Sequence, residues 1–206
     1  AVERRVPEPM LPPGLFAGRG FTVAVTVGFC LNVSFFGQLF VLSLFFQRTL
    51  GFDAWDAGLA LAPQACSAVV AAPLGGRAAA RFGVFPAMLT GLVLGAAGFA
   101  GTAFIGPGTA PLVVSGVTFA AGFGMAFAMP AATAAAVSAV PDELAGTAGG
   151  VVNAARQTGS VAGVAILGGV VAADASPSGF RVAMLMAAGI FVVAATLVAA
   201  AARDPV

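Results

Sequence analysis

Four polar side chains share the start of a long apolar run: Asn153, Arg156, Gln157 and Ser160. Positions i, i+3, i+4 and i+7 lie on one face of an α-helix, so these side chains are expected to project together. Buried polar groups are costly unless they are paired or hydrated, so this face must meet water or polar partners. Two interpretations stay open: the face lines a cavity or gate, or Arg156 extends to a nearby interface with water.

Gly159 and Gly163 give the same stretch a second feature, a stripe of small residues. The stripe lies roughly 110° around the helix from the polar face. Small residues let two membrane helices approach closely. We therefore expect one side of this helix to pack tightly on a neighbour while the other side meets polar groups.

A further group combines aromatic and amide side chains and consists of Asn32, Phe35, Phe36, Gln38 and, on the next expected helix, Gln64. A mixed wall of this kind suits large apolar ligands with a few hydrogen-bonding groups, which makes these residues candidates for a substrate path. The alternative is that the phenylalanines face lipid and the amides bond to adjacent helices.

No group of residues supports enzymatic or metal chemistry. The chain has no histidine, and its eight acidic residues all fall in expected loops or tails. Cys30 and Cys66 lie in separate apolar runs rather than in a cluster of ligands. We therefore expect no enzyme, no metal site and no bound cofactor, and this chain supplies no carboxylate within a span as a proton relay.

The elements that must position these residues are expected to be membrane helices. Of the 206 residues, 60% are hydrophobic and only 8% are charged, whereas a soluble domain carries about a quarter charged residues. The net charge of +1 gives no indication of a nucleic-acid partner. About 20 apolar residues cross a bilayer as a helix. Charged turns and Pro/Gly turns divide the chain into six such spans, at about 21–47, 57–76, 84–105, 112–137, 147–172 and 182–202.

These spans predict an all-α integral membrane protein: one six-helix bundle over 21–202, an N-terminal linker at 1–20 and a tail at 203–206. Short loops rich in arginine stay on the cytoplasmic side of a membrane. With both termini inside, Arg48 and Arg181 lie outside, and the cytoplasmic side holds Arg4, Arg5, Arg19, Arg77, Arg81 and Arg203. We therefore expect a multi-pass protein of the cell membrane with cytoplasmic termini.

Several motifs together resemble one known family. In chain order they are Gln47-x-x-x-Gly51-Phe52, Ala57-Gly58-x-x-x-x-Pro63, Pro73-Leu-Gly-Gly-Arg77, Arg81-Phe-Gly83, Gly122-Phe-Gly124, Pro130, Pro141-x-Glu143-x-Ala-Gly146 and Gly149-x-x-x-Asn153-x-x-Arg156-Gln157-x-Gly159-x-x-x-Gly163-x-Ala165. Their order and spacing resemble the C-terminal half of major facilitator superfamily exporters, most of all the fourteen-helix drug:proton antiporters of the EmrB/QacA type. The likeness covers nearly the whole chain from about Met10.

This resemblance implies proton-coupled export of drugs or lipophilic small molecules by alternating access, with the substrate bound between two six-helix halves. It implies a proton gradient as the energy source. The implied partners are the lipid bilayer, a small lipophilic substrate and the N-terminal half of the same transporter, with no nucleic acid. The chain begins at Ala1 without an initiator Met, so a fragment is the expected form.

The resemblance also assigns a cytoplasmic gate or loop to Gly76, Arg77, Arg81 and Gly83, which we expect as a short basic loop. Gly76, Arg81 and Gly83 fit the family's loop motif G-x-L-A-D-R-x-G-R-R/K. The chain departs from it at Ala80, where the motif has Asp, and beyond Gly83, where its basic residues are missing. Two alternative functions stay open: a major facilitator carrier for another small metabolite, and a truncated half that does not transport.

Overall fold

The computed structural model describes residues 15, 16 and 18–203, and among them it contains helices and connecting turns but no strand. The predicted all-α fold is confirmed. The predicted linker at 1–20 and tail at 203–206 lie largely outside the described residues. The long helices are α1 Arg19–Arg48, α2 Ala54–Phe82, α3 Val84–Thr102, α4 Pro111–Ser138, α5 Ala145–Ala173 and α6 Pro177–Arg203.

Local chemistry sets where several of these helices begin and end. The Asp53 carboxylate accepts a hydrogen bond from the Asp56 backbone N–H at 2.8 Å and caps the start of α2. Pro111 is the first residue of α4, a position where the missing N–H of proline costs nothing. Gly83 ends α2 with φ +94°, and its N–H donates to the Ala79 carbonyl at 3.0 Å. Glycine adopts this backbone conformation without steric penalty.

Helices α1 and α4 occupy the centre of the bundle. α1 packs most extensively on α5 and also contacts α6 and α4, while α4 packs on both α2 and α3. α3 packs further on α6, whereas α1 and α2 touch over only a short length. This sparse contact between α1 and α2 leaves part of α1 uncovered on the side that lies between α2 and α5.

Glycines set the closest helix contacts. A Cβ atom at Gly163 of α5 would overlap the Val33 carbonyl of α1, and one at Gly159 would lie 2.6 Å from the Phe29 carbonyl. On the other side of the bundle, a Cβ at Gly124 of α4 would overlap the backbone of α3 at Gly95. Helices in lipid associate through such close packing because no hydrophobic driving force acts between them.

Because successive helices run in opposite directions, each arginine can be assigned to one end of the bundle or the other. Arg19 of α1 borders the same groove as Ala200 and Ala201 of α6. At the opposite end, Arg48 borders a groove with Pro177 and Phe180. Arg77, Arg81 and Arg203 therefore share the end of Arg19, and Arg181 shares the end of Arg48. Arg156 lies deeper, in the half of α5 nearer to the end of Arg19. Which end faces the cytoplasm stays a prediction.

Five of the six helices are long and apolar enough to cross a membrane, and α5 is not among them. Its first half carries the polar face at Asn153, Arg156 and Gln157, and it is rich in glycine, which contributes little hydrophobicity. The packing of α5 along α1 gives it the place of a sixth span in the bundle. Its crossing of the membrane stays a prediction.

The predicted short basic loop at 76–83 is wrong. α2 continues to Phe82, so Gly76, Arg77 and Arg81 are helical and only Gly83 forms the turn to α3. The reason is the alanine run Ala78–Ala80, since alanine has the highest helix propensity and the helix need not end where the apolar span ends. α2 likewise runs without interruption through Pro63 and Pro73.

Candidate functional site

A buried pair of amides joins α1 to α2. The Gln64 Nε2 atom donates a hydrogen bond to Gln38 Oε1 at 2.9 Å. Gln38 is 0% exposed and Gln64 is 2% exposed. Because α1 and α2 otherwise touch little, this bond is the principal polar link between the two helices among the described residues.

Only one amide group of each polar type in the pair has a hydrogen-bond partner: one nitrogen and one oxygen remain unpaired. Gln38 Nε2 has no acceptor, Gln64 Oε1 has no donor, and the hydroxyl of Ser34 also lacks a partner. Ser34 lies one helical turn before Gln38, so the two side chains share a face of α1. Buried polar atoms in folded proteins nearly always have a hydrogen-bond partner, so three unpaired polar atoms on neighbouring side chains require an explanation.

Helix α4 closes the back of this polar cluster. A Cβ atom at Gly122 would lie 2.9 Å from Gln64 Cγ and 2.5 Å from Ser67 Oγ. The Ser67 hydroxyl is itself occupied, because it donates to the backbone carbonyl of Gln64 at 2.7 Å. α4 therefore packs against the backbone and the base of the Gln64 side chain.

On the other side, Gln64 borders an open groove of about 270 Å³ between α1 and α2. Phe35 and Leu39 line the groove from α1, and Leu61 and Ala62 line it from α2. The Phe35 ring meets the Phe36 ring edge to face at 5.3 Å, and Phe36 is 38% exposed. The uncovered side of α1 is thus aromatic, with the Gln64 amide at its border.

Asn32 is placed differently from the other residues predicted to line a substrate path. Its Nδ2 atom donates to the Gly28 carbonyl at 2.9 Å, and its Oδ1 atom accepts from the Ser160 hydroxyl at 3.5 Å. Asn32 is buried against α5, and the Gly159 backbone lies beside its Cβ. Its hydrogen bonds are therefore made within the bundle, by its own helix and by α5.

The side chains on the polar face of α5 differ in how far they are exposed. Asn153 and Gln157 are exposed, whereas Arg156 and Ser160 are half-buried. The Arg156 side chain lies over Gly28 of α1, where a Cβ atom would be 3.6 Å from Arg156 Cγ. The Arg156 Nε atom is buried without a hydrogen-bond partner in the described part of the chain. These contacts fit both interpretations of this face: that it lines a gate, and that Arg156 extends to a nearby interface with water.

The four residues predicted for the gate lie at the end of the bundle to which Arg156 is nearer. Arg77 and Arg81 are exposed on the last turns of α2, and the Arg81 guanidinium lies 5.3 Å from the centre of the Phe82 ring. Gly76 lies in open surroundings, with no atom near the position of an added Cβ. No hydrogen bond described in the structure joins Arg77 or Arg81 to Arg156.

The interior of the bundle lacks ionised partners and metal sites within the described residues. Asp53, Asp142, Glu143 and Asp174 lie outside the long helices, and Asp56 lies in the first turn of α2. No group of three His, Cys, Asp or Glu residues comes together among the described positions. The groove beside Gln64 therefore offers hydrogen bonds and aromatic surface but no charge.

Ser34, Ser67 and Gly122 also lie beside the amide pair, a position that the sequence did not predict for them. A weak signal for Ser34 is its i, i+4 spacing to Gln38, and one for Ser67 is its i, i+3 spacing to Gln64. No local pattern could have identified Gly122, which meets Gln64 across 58 residues of chain (122 minus 64).

Comparison with known proteins agrees with this architecture. The family model of the Major Facilitator Superfamily matches residues 24–206. A methylenomycin A resistance protein of Streptomyces coelicolor is 39% identical over 166 residues, which are 81% of this chain and 35% of the relative. A tetracenomycin C resistance and export protein of Streptomyces glaucescens is 31% identical, over 81% of this chain and 31% of the relative.

The multidrug resistance protein Stp of Mycobacterium tuberculosis is also 31% identical, over 84% of this chain and 32% of the relative. The chain thus spans about a third of the length of these curated relatives. The family match extends through all six helices, and the relatives carry the names of drug resistance and export proteins. This chain belongs to the Major Facilitator Superfamily, whose members are membrane transporters.

Proposed function

We propose that the chain is the C-terminal half of an exporter of drugs or lipophilic small molecules, which works by proton-coupled alternating access. The observation that carries the proposal is the uncovered side of α1, where Phe35 and Phe36 stand beside the buried Gln38–Gln64 pair. Apolar surface with a few fixed hydrogen-bonding groups is the usual lining of a small-molecule site. The names of the relatives, resistance and export proteins, support the same class of substrate.

In this proposal a second six-helix half covers the side of α1 between α2 and α5. Carriers of this type bind substrate near the middle of the bilayer, between two halves that rock against each other. The lengths support this, because the relatives are about three times as long as the part that matches. Phe35, Phe36 and Gln64 then border the substrate path from this half, and Asn32 and Gln38, which are buried, lie behind them.

The polar face of α5 and the end of α2 form the cytoplasmic gate in this proposal. Asn153, Arg156 and Gln157 lie in the half of α5 nearer to the end of the bundle that holds Arg77 and Arg81. The excess of arginine at this end supports a cytoplasmic location, with both termini inside the cell membrane.

Proton coupling requires a titratable group, and the proposal assigns that group to the other part of the carrier. The whole chain has no histidine. Every acidic residue the structure describes lies in a connection or in the first turn of a helix. The proton gradient then acts on this half through the movement of the two halves relative to each other.

An efflux assay with the intact carrier tests the proposal. A drug-sensitive bacterial host producing the carrier in its cell membrane is expected to accumulate less ethidium than the empty host. A protonophore is expected to abolish the difference. Equal accumulation in both hosts, with carrier present in the membrane, refutes drug export, and efflux that survives collapse of the proton gradient refutes proton coupling.

A further inference from the structure

We propose that a cavity at the Arg48 end of the bundle binds a protonated amine that carries an apolar ring. The cavity, called the end cavity below, has a volume of about 640 Å³ and lies between the end of α1, the start of α2 and the turn that joins α3 to α4. Small-molecule sites in proteins have volumes of about 300–1,000 Å³. The inference adds a site to the proposed function and does not rest on it.

Asp56 gives the end cavity its charge. Its side chain borders the cavity from the first turn of α2, and its carboxylate has no hydrogen bond or ion pair within the described residues. No arginine borders the cavity. Arg48 lies nearby in the chain, but it borders the separate groove beside Pro177 and Phe180. The cavity therefore carries a negative charge that no side chain lining it neutralises, and a cation complements it.

The remaining lining fits an ammonium group attached to an apolar body. Thr49 and Ser115 contribute hydroxyl groups, and neither hydroxyl has a hydrogen-bond partner in the described part of the chain. The Phe52 ring is 37% exposed and stacks on the Phe46 ring at 5.7 Å. An ammonium group donates several hydrogen bonds and is attracted to the face of an aromatic ring. Leu59, which is 56% exposed, offers apolar surface to the rest of the ligand.

The end cavity is separate from the groove of about 270 Å³ described above, although both lie between α1 and α2. On α1, Phe35 and Leu39 border the groove. Thr49 and Leu50 border the cavity, 10 to 15 residues further along the helix (49 minus 39 and 50 minus 35). At 1.5 Å per residue the two sites are about 15–22 Å apart. A molecule that leaves the groove toward the Arg48 end meets the end cavity next.

Saturable binding of two matched probes to the intact carrier tests the proposal. The carrier is purified into nanodiscs of phosphatidylcholine, whose headgroup has no N–H group. The probes are 2-(1-naphthyl)ethylamine, which is protonated at neutral pH, and 2-(1-naphthyl)ethanol, which has the same ring without the charge. We expect the amine to bind about tenfold more tightly than the alcohol, because only the amine forms a charged hydrogen bond with Asp56.

Asp56→Asn removes the charge and preserves the size of the side chain. It is expected to weaken amine binding about tenfold and to change alcohol binding less than about twofold. Asp56→Glu, which keeps the charge, is expected to retain most of the amine binding. Asp142→Asn is the matched control, since it removes the same charge at the opposite end of the bundle, and it is expected to bind both probes normally.

Leu59→Trp fills the end cavity without altering the carboxylate, and it is expected to weaken the binding of both probes. This variant tests the location of the site even if Asp56→Asn does not accumulate in the membrane.

The site is refuted if wild-type carrier binds the amine and the alcohol equally, or if Asp56→Asn or Leu59→Trp binds the amine normally. Equal losses in Asp56→Asn and Asp142→Asn would assign the effect to the overall charge of the carrier. Weaker amine binding in nanodiscs of phosphatidylethanolamine would reassign the cavity to a lipid headgroup. These results are independent of efflux: a carrier that binds the amine through Asp56 but exports no drug keeps the site and refutes the proposed export.

Discussion

Gly163 of α5 lies directly against the backbone carbonyl of Val33 on α1, with no space between them for a methyl group. One helical turn earlier, Gly159 makes the same kind of contact with the Phe29 carbonyl. These contacts hold the helix with the polar face against the helix with the aromatic face. The close approach of α5 to α1 therefore depends on glycine at both of these positions.

Gly163→Ala is expected to destabilise the bundle by about 1–3 kcal/mol, because the added methyl group forces α5 away from α1. The melting temperature of the intact carrier in detergent measures the effect. Gly169→Ala is the matched control on the same helix, since an added Cβ there meets no atom within 4 Å. Equal melting temperatures for the two variants would contradict the packing described for α1 and α5.

Gly83→Ala is expected to cost about 1–3 kcal/mol through backbone strain, since Gly83 has φ +94° and ψ 160°, a region open almost only to glycine. The measurement is the melting temperature together with the amount of carrier in the membrane. Gly76→Ala, seven residues earlier and within α2, is expected to be neutral or stabilising by about 0.5–1 kcal/mol. If Gly76→Ala were the more damaging change, the helical assignment of 76–82 would be refuted.

Arg156→Ala is expected to reduce drug export roughly tenfold, a loss of about 1.4 kcal/mol of interaction with the opposing part of the carrier. The Arg156 stem packs over Gly28 and its Nε atom is unpaired in this half, so a polar partner from elsewhere is needed. Efflux rates corrected for the amount of carrier measure the effect. Arg156→Lys, which keeps the charge, is expected to retain part of the activity.

Thr158→Ala is the control for Arg156, because Thr158 is exposed two residues away and its hydroxyl bonds only to the Ala154 carbonyl of its own helix. It is expected to export normally. Unchanged export by the double variant Arg156→Ala with Gln157→Ala would remove both residues from the mechanism and favour the interpretation that Arg156 only reaches for water.

Asp174→Asn tests the connection between α5 and α6. Hydrogen bonds from Ser176, through its hydroxyl and its backbone N–H, and from the Ser178 hydroxyl lower the pKa of the Asp174 carboxyl below its ordinary value of 3.8. A lowered pKa means that the charged form stabilises the fold above pH 3.8. That contribution is lost as the pH falls below 3.8 through the folded-state pKa.

Wild-type carrier is therefore expected to melt slightly higher than Asp174→Asn at neutral pH, and the difference is expected to vanish at pH values well below 3.8. Melting temperatures of both proteins over this pH range check the prediction. Asp142→Asn provides the control, since the Asp142 side chain accepts no hydrogen bond in the described structure. A difference that persists unchanged in acid would show that the carboxylate charge is not its source.

Much of the fold was accessible from the sequence because membrane spans are determined by local length and apolarity. The division at 106–111 separates α3 from α4 as the paired Pro and Gly residues predicted. The glycine stripe at Gly159 and Gly163 followed from helical periodicity. The error at 76–83 arose because an alanine-rich segment with two arginines reads as a loop by hydropathy, whereas its propensity continues the helix.

The candidate site depended on tertiary structure to a greater degree. The sequence identified Gln38 and Gln64 as amides in apolar runs, but their hydrogen bond spans 26 residues of chain, which no helical period relates. Packing also separated Asn32, whose amide is bonded within the bundle, from Gln38 and Gln64, whose amides keep a free donor and a free acceptor. Side-chain type determines what a residue can bond, and only the fold decides which of those bonds remain unmade, because partners meet across helices that are distant in the chain.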